Sequence, residues 1–86
     1  MSWKLVITPP ARKDLERLPI DIRTRILRAL NQAAHCEIEH GSVKRMQGAG
    51  GALYRLRIGD YRVVFEVGAS ELIAKRVGHR REVYRA

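Results

Sequence analysis

Along the chain the spacing of apolar residues passes from two to about 3.6 and back to two. Ser2 to Thr8 alternates, with Trp3, Leu5 and Ile7 set against Lys4, Val6 and Thr8. That is the pattern of a short strand with one buried face. Thr8-Pro9 then starts a helix, with Thr as N-cap and Pro at the first helical position, where its missing N–H costs nothing. Ala11, Leu15 and Leu18 follow as one apolar stripe. Pro19 ends that helix and opens the next. Ile22, Ile26, Leu30 and Ala33, with Leu27 and Ala34 beside them, predict a longer helix to about Ile38, whose other face carries Arg23, Arg25, Arg28 and Gln32. Two helices joined by so short a link form a helical hairpin with one apolar side.

Glu39 to Ala52 is irregular, with a short extended piece expected over Val43 to Met46. Gly48 to Gly51 reads as a flexible loop. It is no phosphate cradle, because a P-loop needs a Lys-Ser/Thr pair after the glycines and a strand before them. Period two returns in Leu53 to Val67, LYRLRIGDYRVVFEV. Gly59-Asp60 divides it, and Gly at the first central position suits a two-residue type II′ turn. The turn pairs Ile58 with Tyr61, Arg57 with Arg62, Leu56 with Val63 and Arg55 with Val64. One face then carries Tyr54, Leu56, Ile58, Tyr61, Val63, Phe65 and Val67, and the other Arg55, Arg57, Arg62, Val64 and Glu66. Gly68 to Glu71 is a second turn and Leu72 to Val77 a final strand. A four-residue turn puts Lys75 on the arginine face, and a slip of one puts Arg76 there. Gly78 is expected to break the strand before the tail HRREVYRA. The expected fold is α+β, one domain over 1–86: a strand, a helical hairpin, then a three-stranded antiparallel meander, with the helices on one face of a single sheet.

Charge adds a partner to this picture. The net charge is +8, and residues 43–86 hold 10 basic and 4 acidic groups against 7 and 5 in residues 1–42. A basic excess concentrated in the half with the arginine hairpin points to a polyanionic partner, nucleic acid or an acidic protein. Arg57 and Arg62 face each other across the strands, and like charges so placed are destabilising. The face is either fully solvated or built for an anion. One cysteine, Cys36, excludes a disulfide framework and is compatible with a reducing compartment. No apolar run approaches the ~20 residues of a membrane span, and no signal peptide is read before the first strand, so a cytoplasmic protein with no membrane partner is expected.

Metal chemistry is not expected. His35, Cys36 and His40 lack a second ligand cluster, Cys36 reads as a small buried hydrophobe, and no nucleophile has a matched base. No cofactor is expected either. Tyr54, Tyr61 and Trp3 share faces with apolar residues and read as packing groups. Arg55, Arg57, Arg62, Arg80 or Arg81, His79 and Tyr84 remain. Guanidinium groups hold phosphate oxygens in bidentate fashion, and tyrosine stacks on a splayed base. RNA cleavage without metal needs little more: attack by the ribose 2′-OH, cations on the phosphate and a proton for the leaving oxygen. A basic binding module without chemistry fits these residues equally well. Lys44, Arg45, Lys75, Arg76, Arg81 and Arg85 are further RNA-binding candidates on either reading.

The Leu18-Pro19 junction, YRLRIGDYRVVFEV and RVGHRREVYR together resemble the RelE/ParE superfamily of bacterial toxins over essentially the whole chain, and more closely its RelE branch. RelE-like toxins are ribosome-dependent mRNA endonucleases that use no metal, whereas ParE-like members poison DNA gyrase. The resemblance implies a cognate antitoxin, acidic where it covers the basic face, a toxin–antitoxin hetero-oligomer, and the ribosome and mRNA as targets. It implies that Arg55, Arg57 and Arg62 contact the phosphate, with Arg80 and Tyr84 at the matching positions of the tail. Lysines stand in well-known relatives where Arg55 and Arg57 stand here, and one of them is a candidate general base. Arginine stays protonated and is a poor base. The 2′-OH proton then has four candidate destinations: His79, Tyr84, water or a phosphate oxygen. Arg80 and Tyr84 are also closer together than in some relatives. The alternatives are a ParE-like gyrase inhibitor and an inactive member that only binds antitoxin or RNA.

Overall fold

The computed structural model describes residues 3–35, 43–45 and 53–79. Its elements are β1 (Lys4–Ile7), α1 (Pro9–Glu16), α2 (Ile20–His35), β2 (Val43–Arg45), β3 (Leu53–Ile58), β4 (Tyr61–Val67) and β5 (Glu71–His79). Thr8 caps α1 as its sequence predicts, its Oγ1 accepting from the Ala11 N–H at 3.3 Å. The same hydroxyl donates to the Ala74 carbonyl at 2.9 Å, so the cap also ties the start of α1 to β5. The Pro19 carbonyl accepts the Arg23 N–H at 3.0 Å and starts α2. The expected extension of this helix to Ile38 and the glycine loop over 48–51 lie outside the described residues.

The meander is present as β3, β4 and β5, and the sheet grows at both edges, in the order β1-β5-β4-β3-β2. β2 lies antiparallel to β3, and β1 lies parallel to β5, with Lys4 opposite Glu71 and Ile7 opposite Ala74. Both helices pack on one face. Ala11 and Leu15 of α1 and Ile26, Leu30, Ala33 and Ala34 of α2 are buried with Leu56, Val63, Phe65, Leu72, Ala74 and Val77 of the sheet. Trp3 packs against this core, its Nε1 donating to the Gly68 carbonyl at 3.2 Å.

Two expectations need correction. Arg23 does not share the outward face of α2: it is half-buried beside Leu27, and its Nε is buried with no hydrogen-bond partner among the described residues. Arg23 lines a groove between α1 and α2 together with Leu15 and Leu27, a position that a long side chain with an apolar stem can take. Gly78 does not break the last strand either. β4 still offers Arg62 and Tyr61 as ladder partners, and β5 runs on through Gly78 to His79.

The register of β5 contains a bulge. Phe65 pairs with Ala74, but Val64 pairs with Arg76, which leaves Lys75 as an extra residue. The burial pattern gives the reason. Leu72 and Ala74 point into the core, so strict alternation would drive Arg76 there as well. Desolvating an unpaired guanidinium costs several kcal/mol, and one extra residue avoids it by turning Val77 inward instead. Lys75 and Arg76 therefore both leave the core face, so the two alternative registers of the sequence are realised together.

β1 ends opposite Ala74, which leaves the edge of β5 uncovered beyond it. Asp14 of α1 closes that edge. Its Oδ2 accepts the Val77 N–H at 3.0 Å and the Arg76 Nε–H at 2.9 Å, and its Oδ1 accepts from Arg76 Nη2 at 3.4 Å. The carboxylate is only 10% exposed. Asp14→Ala leaves the Val77 donor without a partner and is expected to destabilise the fold by about 1–3 kcal/mol, read as a lower urea midpoint with an unchanged slope. A loss below about 0.5 kcal/mol, the size of an ordinary surface change, contradicts this role.

Candidate nucleic-acid interface

The Gly59–Asp60 turn builds the site. Gly59 has φ of +57°, and no other residue among those described has positive φ. A positive first and negative second φ is the type II′ arrangement, which glycine adopts without a Cβ clash. The register follows: Ile58 opposite Tyr61, Arg57 opposite Arg62, Leu56 opposite Val63, Arg55 opposite Val64. All four expected pairs are present.

The two facing arginines share one acceptor. Arg57 Nε donates to the Gly59 carbonyl at 3.4 Å and Arg62 Nη1 to the same oxygen at 3.2 Å. Arg62 Nη1 also donates to the Tyr61 carbonyl at 3.2 Å. The turn thus places a partial negative charge between two cations and offsets part of their repulsion. Arg62 is 9% exposed, whereas Arg57 is exposed and Arg55 half-buried. Arg62 forms no ion pair with Glu66, although the two are four residues apart on one strand face. Glu66 Oε2 instead lies 3.8 Å from Lys75 Nζ. Arg62 Nε and Nη2 have no acceptor among the described residues.

Two rows of register partners cross the strands here. One reads Arg57, Arg62, Gly78, and the other Lys44, Arg55, Val64, Arg76. Arg45 stands opposite Tyr54 in the register. The rows bring together Arg55, Arg57 and Arg62, and the bulge adds Lys75 at the flank. His79 is separated from them. It is the register partner of Tyr61, and their rings meet edge to face at 6.0 Å on the core side of the sheet. The bulge is the cause, since it moves every later residue of β5 to the opposite face. Tyr54 stacks on Phe65 at 5.5 Å and is a packing group, as its face indicates. Arg80, Arg81, Tyr84 and Arg85 lie outside the described residues. The shared Gly59 acceptor and the Asp14 bridge carry no sequence motif. The first is a backbone atom, and the second joins residues 62 positions apart.

Comparisons with known proteins agree with this fold. Residues 5–84 match the family model described as ParE toxin of type II toxin–antitoxin system, parDE. Toxin RelE3 of Methanocaldococcus jannaschii is 32% identical over 75 residues, 84% of each chain. The RelB–RelE antitoxin–toxin complex of Methanococcus jannaschii superposes with a TM-score of 0.78 at 28% identity, over 93% of this chain and 95% of that one. The archaeal RelE–RelB complex of Pyrococcus horikoshii gives 0.78 at 27%, over 93% and 97%.

The two facing arginines separate into an exposed and a structural one. Arg57→Ala removes a like charge and is expected to change stability by less than about 0.5 kcal/mol, or to raise it. Arg62→Ala removes two charge-assisted hydrogen bonds and is expected to cost about 1–3 kcal/mol. Denaturant melts of both variants check the contrast, and equal losses contradict it.

Proposed function

We propose that this chain, which belongs to the RelE/ParE superfamily of toxins of type II toxin–antitoxin systems, is a ribosome-dependent mRNA endonuclease. The observation that carries the proposal is the pair Arg57 and Arg62, converging on one carbonyl with donors of Arg62 left over. Such a site is complementary to a phosphate whose charge rises in the transition state.

In the proposed mechanism Arg57 and Arg62 hold the scissile phosphate, and Arg55 orients it or the attacking oxygen. The ribose 2′ oxygen bonds to phosphorus and loses its proton, and the bond from phosphorus to the 5′ oxygen breaks. The products are a 2′,3′-cyclic phosphate and a 5′-OH. Arg80 supports the charge on the leaving side, and Tyr84 stacks on a base or passes a proton, roles that rest on the family resemblance. His79 faces the core side beside Tyr61, which favours water, a phosphate oxygen or Tyr84 as the proton's destination. Three resident cations lower the barrier to losing the 2′-OH proton by stabilising the dianionic phosphorane, so a dedicated strong base contributes less. Lys44, Arg45, Lys75, Arg76, Arg81 and Arg85 grip flanking phosphates. The chain acts in the cytoplasm, where a cognate antitoxin with an acidic segment covers the basic face in a hetero-oligomer. Support comes from the solved relatives, which are complexes of RelE with RelB.

A second reading is a ParE-like inhibitor of DNA gyrase without nuclease chemistry. The description of the matching family model as ParE toxin favours it. Primer extension on a translated message separates the two. New ends at ribosomal A-site codons are expected with the wild type. They should fall by about 10²–10³ in Arg57→Ala, the cost of losing one preorganised charge-stabilising donor. Intact mRNA together with gyrase-dependent DNA breaks overturns the endonuclease.

A further inference from the structure

The charge of this protein is not confined to the hairpin face. Pro9, Pro10, Lys13, Asp14 and Arg17 of the α1 region and Arg76 of β5 line an open cleft of about 300 Å³. Pro10, Lys13, Asp14 and Arg17 recur at helical spacing, so they form one stripe along α1 beside the edge of β5 that β1 leaves uncovered. The cleft holds three cations and one carboxylate. That carboxylate is already engaged: Asp14 takes the Val77 N–H and both bonds from Arg76. Neither Lys13 nor Arg17 has an ion-pair partner among the described residues, and both are exposed.

The helix end accounts for only part of this. A cation in the last turn of α1 is favoured by the helix dipole, but two like charges at i, i+4 repel by a few tenths of a kcal/mol. A third cation from another element adds to that repulsion. Asp14 also orients Arg76, so the guanidinium stands at the cleft with little rotamer freedom left to lose on binding. Residues 9 and 10 add a rigid wall, because proline fixes its own φ.

The position of the cleft identifies its ligand. Arg76 lies opposite Val64, and Val64 lies opposite Arg55. Two strand spacings, about 10 Å, separate the backbones of Arg55 and Arg76. The row that begins at Lys44 therefore continues through Arg55 to Arg76, over the open edge of β5, and ends at Lys13 and Arg17. A flexible polyanion held at the hairpin reaches the cleft past two carboxylates that each already face a cation, Glu66 beside Lys75 and Asp14 beside Arg76.

We propose that the cleft between α1 and β5 is a second RNA-backbone site, with Lys13, Arg17 and Arg76 contacting phosphates remote from the one that is cut. The proposal rests on the reading of the hairpin as an RNA site, and it assigns the cleft to docking and not to chemistry. A protein partner with an acidic segment is the competing occupant.

The test uses the full chain and a single-stranded 30-nucleotide RNA, with affinity measured across ionic strength. A single-stranded contact contributes about 0.7 to the slope of log K against log salt. The double variant K13A/R17A is expected to bind several-fold more weakly and to lose about one to two units of slope, with an unchanged melting temperature. In the ribosome-programmed cleavage assay its loss is expected in KM more than in kcat. Unchanged affinity and slope in this variant, while Arg57→Ala lowers both, overturn the proposal. RNA affinity that is unchanged while binding of an acidic peptide is lost gives the cleft to a protein partner and overturns it too. Binding is read without cleavage. A wild type that grips RNA through the cleft but cuts no message therefore refutes the endonuclease and leaves the second site standing.

Discussion

A backbone φ of +57° at Gly59 lets β3 reverse into β4 over two residues, and that reversal decides which side chains share a face. Because the side-chain period of a strand is two, a shift of one residue would turn Leu56, Val63 and Phe65 outward and the arginines inward. The register is held from both sides. Burial of the apolar set secures it below, and the Gly59 carbonyl, accepting from Arg57 and Arg62, secures it above. The same atoms that close the turn hold two cations close together. This juxtaposition is unfavourable in the free protein and favourable once a phosphate is bound, and binding energy of that kind can be used in a transition state.

The second constraint lies in β5. Its bulge keeps Arg76 out of the core and turns Val77 in, at the expense of one residue left over in the ladder. Three consequences follow from this one irregularity. Lys75 joins the arginine side, where it meets Glu66. Arg76 reaches Asp14 at the uncovered edge and ties α1 to the sheet. His79 moves to the side of Tyr61, away from Arg55, Arg57 and Arg62. The core and the basic surface are in this sense one design, because burying the apolar residues of β5 is what distributes its cations.

Those parts of the fold that depend on adjacent residues were legible in the sequence. The hairpin, its register and its two faces follow from a two-residue turn and simple alternation. The start of α1 follows from Thr8-Pro9, and the stripes of α1 and α2 from 3.6-residue spacing. Features that depend on distant partners were not legible. The alternation of Ser2 to Thr8 marks a strand, but nothing local says that it lies parallel to β5, more than sixty residues away. The bulge was visible only as an ambiguity between Lys75 and Arg76, since alternation fails there and only core burial resolves it. Gly78 was misread because a glycine weakens a strand but does not end it while partners remain. Arg62 was read from the sequence only as one of the cations of its face, whereas its bonds to carbonyls of the turn have no residue signature. The resemblance to RelE/ParE toxins named the family, and residues 5–84 match its model.

The central claim is that the arginine face stabilises a phosphate attacked by its own ribose 2′-OH. End-group analysis of the cleaved message tests it most directly, on a ribosome-bound mRNA carrying a single 2′-deoxynucleotide on the 5′ side of the cut. The account predicts 5′-OH and 2′,3′-cyclic phosphate ends on the all-ribose message and no cut at the deoxy position. Cleavage that persists at the deoxy position, or that leaves 5′-phosphate ends, would contradict it.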